Sequence, residues 1–546
     1  MRHLIPITFA LIAAAAHAQS PGVSAVPTYE SVGLYWADPP FGWTADGCQV
    51  RYRPVGQGSW KQGHALWFDP ASNECRGSIV HLAPGTEYEA ELSVTAAKRV
   101  VRFRTWSNRV PVASTVQVPS GSATLVITSG GTKSGYVVYQ GAPGVLDAKN
   151  ATPYNIYIDA SYVVVRGFTL KGAAQDAIRI APGVTDVIIE DNEITGWGRT
   201  RGGGLGVNLD SAIRADCGET DATLTRVTIQ RNEIHDPRYD TNSWSDGHPE
   251  GPQGITFDNC PGNHVIRHNE IFSTTGRYLN DAIGGSENFS TTGFPNADSD
   301  VYGNTISHVW DDAIEAEGGN RNVRVWGNYM DQTATGIAST VTSVGPLYLF
   351  RNVWNRARSL GKVGPDADDR QPMFKAGSHP DFSDGRRYIY HNTMLQAHDG
   401  TSEFPLGGAM GVAGASASQR IRNTVTRNNI WHTWRPYDHR WRPFDEAIQA
   451  DAGNDFGWDL YNGTDGTSIR SAIIATPTYA PGNGWKSEEG GMYQLALDTP
   501  GFNQGVRIPN FNDAYRGSAP DVGAAENGTG RMKFGIAASA GSATGR

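Results

Sequence analysis

A short phrase that ends in asparagine recurs along the central part of this chain, and it constrains the fold more than any other feature. Each copy alternates Val, Ile or aromatic residues with polar ones, as in VIIEDNEI, VTIQRNEI and VRVWGNYM. A second phrase, a small residue followed by Ile, precedes most copies, as in DAIRI at 176 and DAIEAE at 312. The asparagines stand 40, 37, 35, 24, 24, 40 and 37 residues apart, and they are Asn192, Asn232, Asn269, Asn304, Asn328, Asn352, Asn392 and Asn429.

This spacing predicts a stack of coils in which each coil contributes two short parallel strands. A single coil cannot bury its apolar face alone, so neighbouring coils must stack and extend one core. Val and Ile would fill the interior, and the asparagines would form a hydrogen-bonded column at one bend. A β-propeller is excluded, because its blades need about 40 residues each and two of the intervals are only 24.

These repeats resemble the right-handed parallel β-helix family, which implies an all-β solenoid over residues 112–440. The repeat fades over 441–530, where we expect the last coils and a cap, and 531–546 should be a frayed tail. The 65 glycines and the low charged fraction of 18% favour many tight turns over helices.

Residues 23–106 precede the repeat and are predicted to form a small β-sandwich, because short alternating segments follow one another with turns between them. The phrases SVGLYWADP, VRYRPVGQGSW and LAPGTEYEAELSV resemble a fibronectin type III domain. The resemblance implies that Trp36 and Tyr88 are core residues. It also implies a spacer or docking module rather than a site of chemistry.

Residues 1–18 are typical of an export signal, with a basic start, an apolar run and the cleavage-site sequence AHA. We therefore expect a secreted or periplasmic protein. No later segment approaches the length of about 18 apolar residues that a membrane span needs, so no membrane insertion is expected. With a net charge of −9 and no basic run, nucleic acid is not an expected partner. We expect a monomer.

The four cysteines fall into two local pairs, and export permits disulfides. Cys48 and Cys75 lie in the first domain, and neither pair has the spacing of a zinc site. Cys217 and Cys260 follow the small-Ile strands of consecutive coils, which are about 4.8 Å apart and within disulfide reach. We predict that both pairs are bonded.

The phrase WDDAIEAEGG concentrates four acids, Asp311, Asp312, Glu315 and Glu317, within seven residues. Side chains alternate in a strand, so an inward Ile314 leaves Asp311, Glu315 and Glu317 on the outer face, with Asp312 at the bend. Acids crowded in this way repel one another unless a cation or a shared proton compensates. This density exceeds what capping of a bend requires, and it predicts a working site.

Equivalent positions of successive coils form a row, which brings other candidates to the same place. Asp281 and Asp312 occupy one slot a coil apart, and Lys375 follows two coils later on the same strand ladder. His248 and Glu250 lie just before the coil that precedes Asp281. Insertions at 195–210, 235–252, 355–371 and 395–407 all emerge on one side of the stack, and loops stacked in this way wall a groove.

At these residues the chain resembles the polygalacturonases, a carbohydrate-active family of this fold. Asn280-Asp281 is similar to that family's N-x-D element, DDAI at 311–314 to its D-D-x-I pair, and Phe374-Lys375 to part of its R-x-K element. The family's G-H-G histidine has no counterpart, because the intervening coil reads TGIASTVTS. The resemblance implies a glycoside hydrolase acting on an acidic, uronate-containing polysaccharide.

Hydrolysis of a glycosidic bond needs a protonated acid at the leaving oxygen and a base or nucleophile at the anomeric carbon. Crowded carboxylates supply both, because repulsion raises one pKa while another group stays ionised. We predict Asp312 as the general acid, with Asp281 and Asp311 positioning and activating water. The predicted substrate-binding residues are Lys375, which would pair with a substrate carboxylate, and His248, Glu250, Glu315, Glu317 and His379.

Two other functions fit the same residues. A polysaccharide lyase of this fold would use Lys375, with His379 or Arg277, as the base, and calcium would neutralise the substrate carboxylate. Hydrolysis requires no cofactor, whereas the lyase alternative requires calcium. Its ligands would be Asp311, Glu315 and Glu317, or the loop acids Asp366, Asp368 and Asp369. The second of these functions is that of a non-catalytic glycan-binding or adhesion protein, whose coils are usually uniform and lack one acid-rich spot.

Overall fold

A computed structural model describes most of the chain, and all structural statements concern the residues within it. These residues are 22–40, 47–218, 222–360, 370–382, 385–395, 408–414, 419–433, 441–444, 453–462, 469–480 and 493–539. The predicted export signal at 1–18 and the acids Asp366, Asp368 and Asp369 lie outside the described residues. Within the described ranges, no helix combines the length and apolar character needed to span a membrane.

The N-terminal region is a sandwich of two four-stranded antiparallel sheets, with strand orders β1-β2-β6-β5 and β4-β3-β7-β8. Trp36 and Tyr88 are both buried in the core between the sheets, as predicted, and the Cys48–Cys75 disulfide is formed. Its likeness to fibronectin type III stays a prediction. The strands are β1 (Val23–Pro27), β2 (Val32–Ala37), β3 (Gln49–Pro54), β4 (Lys61–Gln62), β5 (Trp67–Asp69), β6 (Glu74–Ile79), β7 (Glu87–Val94) and β8 (Ala97–Arg104).

The rest of the fold is a stack of short parallel strands, apart from a small antiparallel pair formed by β19 and β20. They are β9 (Val112–Val118), β10 (Leu125–Ile127), β11 (Tyr136–Gly141), β12 (Val145–Asp147), β13 (Tyr154–Ile158), β14 (Val163–Arg166), β15 (Thr169–Lys171), β16 (Asp176–Ile180), β17 (Thr185–Glu190), β18 (Glu193–Thr195), β19 (Thr200–Gly202), β20 (Leu205–Gly206), β21 (Ser211–Asp216), β22 (Thr225–Gln230), β23 (Glu233–His235), β24 (Gln253–Asp258), β25 (Val265–Arg267), β26 (Glu270–Phe272), β27 (Ile283–Gly284), β28 (Asp300–Tyr302), β29 (Thr305–Glu315), β30 (Val323–Trp326), β31 (Tyr329–Ala338), β32 (Leu347–Phe350), β33 (Val353–Ala357), β34 (Arg370–Lys375), β35 (Arg387–Tyr390), β36 (Thr393–Leu395), β37 (Gly408–Ala413), β38 (Thr424–Arg427), β39 (Ile430–His432), β40 (Trp441–Phe444), β41 (Asp455–Phe456), β42 (Leu460–Tyr461) and β43 (Ile473–Ile474). A 3₁₀ turn covers Trp244–Asp246, and one helix, α1, covers Gly535–Ser539.

Each coil contributes three strands rather than the two that the sequence predicted. Every asparagine phrase contains two strands, one on each side of the bend, as β17 and β18 flank Asn192. The strands before the asparagines form a 12-stranded parallel ladder from β9 to β41. The strands after the asparagines and the small-Ile strands form two further ladders, which join into one sheet because β29 and β31 run unbroken around the corner. The predicted all-β fold, a β-sandwich followed by a right-handed parallel β-helix, is confirmed.

The predicted asparagine column is present and fully buried. The Asn304 Nδ2 atom donates to Ile266 O at 3.1 Å and to Asn328 Oδ1 at 2.9 Å. The same amide-to-amide bond links every consecutive pair of the eight asparagines. The column ends at Asp459, whose Oδ1 accepts from Asn429 Nδ2 at 2.8 Å. Each side chain therefore fixes the bend of its own coil and that of the next.

The sandwich packs along the first ladder of the β-helix, so it is not a free spacer. The Tyr35 hydroxyl donates to Asp298 Oδ1 at 2.7 Å, and at the other end Asn510 Oδ1 accepts from the backbone N–H of Val80 at 2.7 Å. Between these points the sandwich covers a row of rings on the outer face of the ladder. Tyr302 stacks on Trp326 at 4.1 Å, and His81 of the sandwich packs edge-on against Trp326 at 5.8 Å.

The remaining predictions about the chain concern the disulfide and the C-terminal region. Cys217 and Cys260 are bonded, with their Cα atoms 4.9 Å apart, as adjacent coils require. The tail differs from the prediction that it frays from residue 531. Phe534 packs against Tyr329 at 5.3 Å, and the N–H of Gly535 donates to Gly303 O at 2.8 Å, because this segment still has an aromatic residue to bury.

Replacing one asparagine of the column should destabilise the whole solenoid. The backbone N–H and the Nδ2 of Asn269 both donate to Asn304 Oδ1 at 3.0 Å. In Asn304→Ala these buried donors lose their acceptor, which should lower the free energy of unfolding by about 2–4 kcal/mol. Urea unfolding followed by circular dichroism measures this. Asn288→Ala, half-buried and outside the column, is the control, and an equal loss in both variants would contradict the assigned role.

Candidate active site

A β-bulge in β29 creates the centre of the acid-rich site. Val309 pairs with Thr333 and Asp312 pairs with Thr335, so β29 has one more residue than β31 between these points. Bulges re-aim side chains at functional positions. The extra residue brings two successive acids, Asp311 and Asp312, to the same cluster, which strict strand alternation would prevent.

Asp281 joins this pair from the preceding coil, as the sequence predicted. Carboxylate oxygens of Asp281, Asp311 and Asp312 all lie within 4.8 Å of one another. The Asp281 Oδ1 atom accepts from the backbone N–H of Asp312 at 3.0 Å, and its Oδ2 accepts from the side-chain amides of Gln253 at 2.9 Å and Asn280 at 3.0 Å. Asp281 is thus held rigidly and supports the backbone at the bulge.

Lys375 supplies the cation that the cluster needs. Its Nζ lies 2.9 Å from Asp312 Oδ2 and 3.3 Å from Glu317 Oε1. Glu315, Ala338 and Lys375 are register partners in three successive coils. The small side chain of Ala338 leaves room for the lysine to extend back across the intervening coil.

Two oxygens of the cluster lack a hydrogen-bond partner. In the described part of the chain, Asp312 Oδ1 and Glu317 Oε2 are buried and have no such partner. A buried acceptor of this kind can bind a water molecule, an ion or a reacting group. The opposite oxygens of both residues are fixed, since Asp312 Oδ2 binds Lys375 and Glu317 Oε1 accepts from the N–H of Thr340 at 2.9 Å.

Burial and mutual repulsion shift the protonation of most of these acids. Burial, followed by repulsion from Asp312, raises the pKa of Asp311 well above its ordinary range, and burial with both neighbouring aspartates does the same to Asp281. Burial and the Asp281 charge raise the pKa of Glu315 well above its usual value. Burial raises the pKa of Glu317 to about 7, although Lys375 opposes the shift.

Neighbouring carboxylates keep the Lys375 side chain in its charged form. Burial lowers the pKa of an ammonium group, but the charges of Asp312 and Glu317 outweigh it and raise the pKa of Lys375 well above its ordinary value. Lys375 therefore stays protonated. The cluster combines carboxyls that favour the protonated form with an ion-paired carboxylate, which is the division that acid–base chemistry needs.

A loop from an earlier coil closes one side of the site. His248 Nε2 lies 3.4 Å from Asp311 Oδ2, while 69% of the His248 side chain is exposed, so it stands between the acid and solvent. In the same loop, Trp244 packs against His248 at 4.8 Å and donates its indole N–H to Trp310 O at 2.9 Å. The structure thus brings a histidine to the acids from the loop before them, although the coil after them contains none.

An aromatic and cationic group beside the acids was not predicted from the sequence. The Arg358 guanidinium lies 3.8 Å from the Trp310 ring centre and 4.5 Å from that of Tyr278. The residue between Trp310 and Arg358 in this row is Ala334, since Val309, Thr333 and Ala357 are register partners. Only the alignment of the three coils could have revealed this group.

The remaining predicted residues lie at the edges of the site. Glu250 pairs with Arg201 at 3.3 Å on the exposed loop, and His379 packs against Phe289 at 5.1 Å. Among the described residues, the predicted calcium ligands Asp311, Glu315 and Glu317 do not form one group of converging oxygens. The group whose oxygens converge is Asp281, Asp311 and Asp312 instead, and oxygen ligands of this kind suit calcium.

The fold and the site together define an all-β protein whose parallel β-helix carries a buried carboxylate–lysine cluster beside the loop of His248. Neither protein-family models nor curated protein sequences match the chain. Among solved structures it is similar to the catalytic unit of a thermostable GH87 α-1,3-glucanase from Streptomyces thermodiastaticus strain HF3-3. The TM-score is 0.37 and the identity 10%, over 83% of this chain and 87% of that one.

It is also similar to Jun a 1, the major allergen from cedar pollen. Here the TM-score is 0.28 and the identity 12%, over 69% of this chain and 83% of the allergen. Structural similarity at these TM-scores and identities gives no information about the activity of this chain.

Substitution of Glu317 should change how stability depends on pH. The pKa of Glu317 is about 7 in the folded chain, against an ordinary 4.5. The folded state therefore binds more protons than the unfolded state between these values, and stability falls as pH rises through this window. Glu317→Gln removes this contribution, so its melting temperature should fall less from pH 5 to pH 7 in calorimetry. The exposed Glu250→Gln is the control, and an unchanged slope in Glu317→Gln would contradict the assignment.

Proposed function

We propose that this protein is an exported glycoside hydrolase that cleaves a polysaccharide bound over Asp311 and Asp312. The observation that carries the proposal is the contrast between these neighbours, because Asp312 is ion-paired with Lys375 whereas Asp311 is buried without a cationic lysine partner of its own. A hydrolase requires one protonated and one ionised carboxyl flanking the scissile bond. Export is supported by the two disulfides.

The contacts favour an exchange of the two roles expected from the sequence. Asp312 Oδ2 pairs with the Lys375 ammonium at 2.9 Å, and Asp312 Oδ1 has no hydrogen-bond partner. The raised pKa of Asp311, caused by burial and by the charge of Asp312, keeps a proton available for the leaving oxygen. We therefore assign Asp311 as the general acid and Asp312 as the base, with Asp281 positioning the bulge.

A uronate-containing glycan remains the proposed substrate class. The formal charge of five acids would repel it, but the raised pKa values of Asp281, Asp311 and Glu315, due first to burial, remove much of that negative charge. The exposed His248 at the rim offers a hydrogen-bond donor to a substrate carboxylate. Lys375 is less suited to this task than the sequence suggested, because two carboxylates already bind it.

Lyase chemistry is the second candidate, and the converging oxygens of Asp281, Asp311 and Asp312 are the observation that favours it. Calcium held there would neutralise a uronate carboxylate. A lyase also needs an unprotonated base, however, and Lys375 is fixed as an ammonium between two carboxylates. The geometry therefore supports hydrolysis better.

Product analysis on polygalacturonate and on neutral glucans tests the proposal. We expect new reducing ends without the ultraviolet absorbance of an unsaturated product, and no loss of activity after chelation of calcium. Reducing ends together with that absorbance, abolished by chelation and restored by calcium, would establish the lyase instead. If no glycan of the panel is cleaved although the same glycans bind, the protein is a glycan-binding protein and the proposal is wrong.

The acid and base roles separate through the leaving group. Asp311→Asn and Asp312→Asn should each lower kcat by about 10²–10⁴-fold on the natural glycan. An oligosaccharide that releases 4-nitrophenol needs little protonation, so it should restore much of the rate of Asp311→Asn and none of that of Asp312→Asn. The reverse pattern would identify Asp312 as the acid. Gel filtration and circular dichroism confirm that both variants are folded.

A further inference from the structure

A cleft lies at the junction with the N-terminal sandwich, on a face of the β-helix different from that of the acid cluster. Its volume is about 450 Å³, and the linker around Trp106 and Arg109 forms one side of it. Strands β17 and β22 of the first ladder form its floor through Ile188 and Thr228. The acid cluster belongs to the other sheet, and the apolar interior of the solenoid separates the two sites.

Aromatic rings line part of this cleft. Trp106 packs edge-on against Tyr29 at 5.2 Å, and Tyr162 packs edge-on against Tyr136 at 5.5 Å. Tyr29 and Tyr136 are buried, and the Arg226 guanidinium lies 4.4 Å from the centre of the half-exposed Trp106 ring. The half-exposed Tyr162 therefore offers ring surface to the cavity. Half-exposed rings of this kind are suited to contact the apolar face of a ring-shaped ligand.

The residues that line the cleft include more cationic than acidic side chains. Asp186 is the acid among its lining residues, and it is neutralised by Arg226 at 2.8 Å and by the Tyr136 hydroxyl at 3.0 Å. Arg109 and Lys133, both exposed, add two further positive charges at the edge. The cleft therefore attracts an anion.

We propose that this cleft is an accessory binding site for an acidic sugar residue, in which a pyranose ring lies against Tyr162 and its carboxylate pairs with Arg109 and Lys133. The ligand class rests on the proposed function, because a uronate glycan offers this combination of ring and carboxylate. The site would hold a second segment of the polymer on the face away from the acids. It would raise affinity for long chains without taking part in bond cleavage.

Calorimetric titration with trigalacturonate tests the site. The titration uses Asp311→Asn as the background, so that the oligosaccharide is not consumed. We expect two bound molecules per chain, and Arg109→Ala/Lys133→Ala should remove one of them or weaken it at least about tenfold. The control Lys171→Ala/Arg507→Ala removes the same two side-chain types from exposed positions elsewhere and should retain both. Tyr162→Ala should weaken the same event, and Tyr162→Phe should preserve it.

The outcomes separate this site from the proposed function. One bound molecule in the background, unaffected by Arg109→Ala/Lys133→Ala, would overturn the accessory site even if the wild-type chain cleaves polygalacturonate. Equal binding of a neutral trisaccharide such as maltotriose at this cleft would overturn the role of the two cations. Binding that depends on Arg109 and Lys133 in a chain that cleaves no glycan would support the site and reject the hydrolase.

Discussion

Hydrogen bonds between successive coils set the distance at which every outward side chain meets its neighbour. The asparagine column repeats this constraint at one bend, where Asn304 Nδ2 joins the carbonyl of the preceding coil to the amide of the next. Parallel strands about 4.8 Å apart leave equivalent side chains little freedom to separate. The solenoid can therefore hold Asp281 beside Asp312 although their charges repel, because separating them would break the ladder.

The same constraint explains why the site needs a lysine from two coils away. Acids that are buried together are costly unless cations and hydrogen bonds compensate. Lys375 provides the cation, and the amides of Gln253 and Asn280 provide donors to Asp281. Stability that the asparagine column supplies is thus partly offset at the acid cluster, as is common where strained or charged groups serve function.

Much of this arrangement could be predicted because it follows the period of the repeat. The asparagine column, the Cys217–Cys260 bond, the row that pairs Asp281 with Asp312 and the place of Lys375 on the same ladder need only the alignment of coils. The bulge in β29 could not be predicted, since a shift of one residue leaves no mark in the pattern of apolar residues. The third strand of each coil was missed because the two strands of an asparagine phrase read as one segment.

Contacts formed by loops and between domains could not be predicted from the sequence either, because they do not follow the period of the repeat. The approach of His248 to Asp311 depends on the path of an insertion. The packing of the sandwich along the first ladder depends on exposed-looking aromatic residues, such as Trp326, that only the ladder aligns into a continuous row. Patterns of alternation reveal which face is buried against the solenoid's own interior, but not which outer face another domain covers.

The sandwich also bridges two points of the β-helix that lie a fixed distance apart. It bonds Asp298 through Tyr35 and Asn510 through Val80, which lies 430 residues earlier in the chain. Solenoids ordinarily gain or lose whole repeats with little penalty, since each coil contacts only its neighbours. Here a coil added between those two points would move Asn510 by about 4.8 Å, and its hydrogen bond with Val80 would be lost. The number of coils beneath the sandwich is therefore fixed. The contact between Val80 and Asn510 can form only after residue 510 has been synthesised.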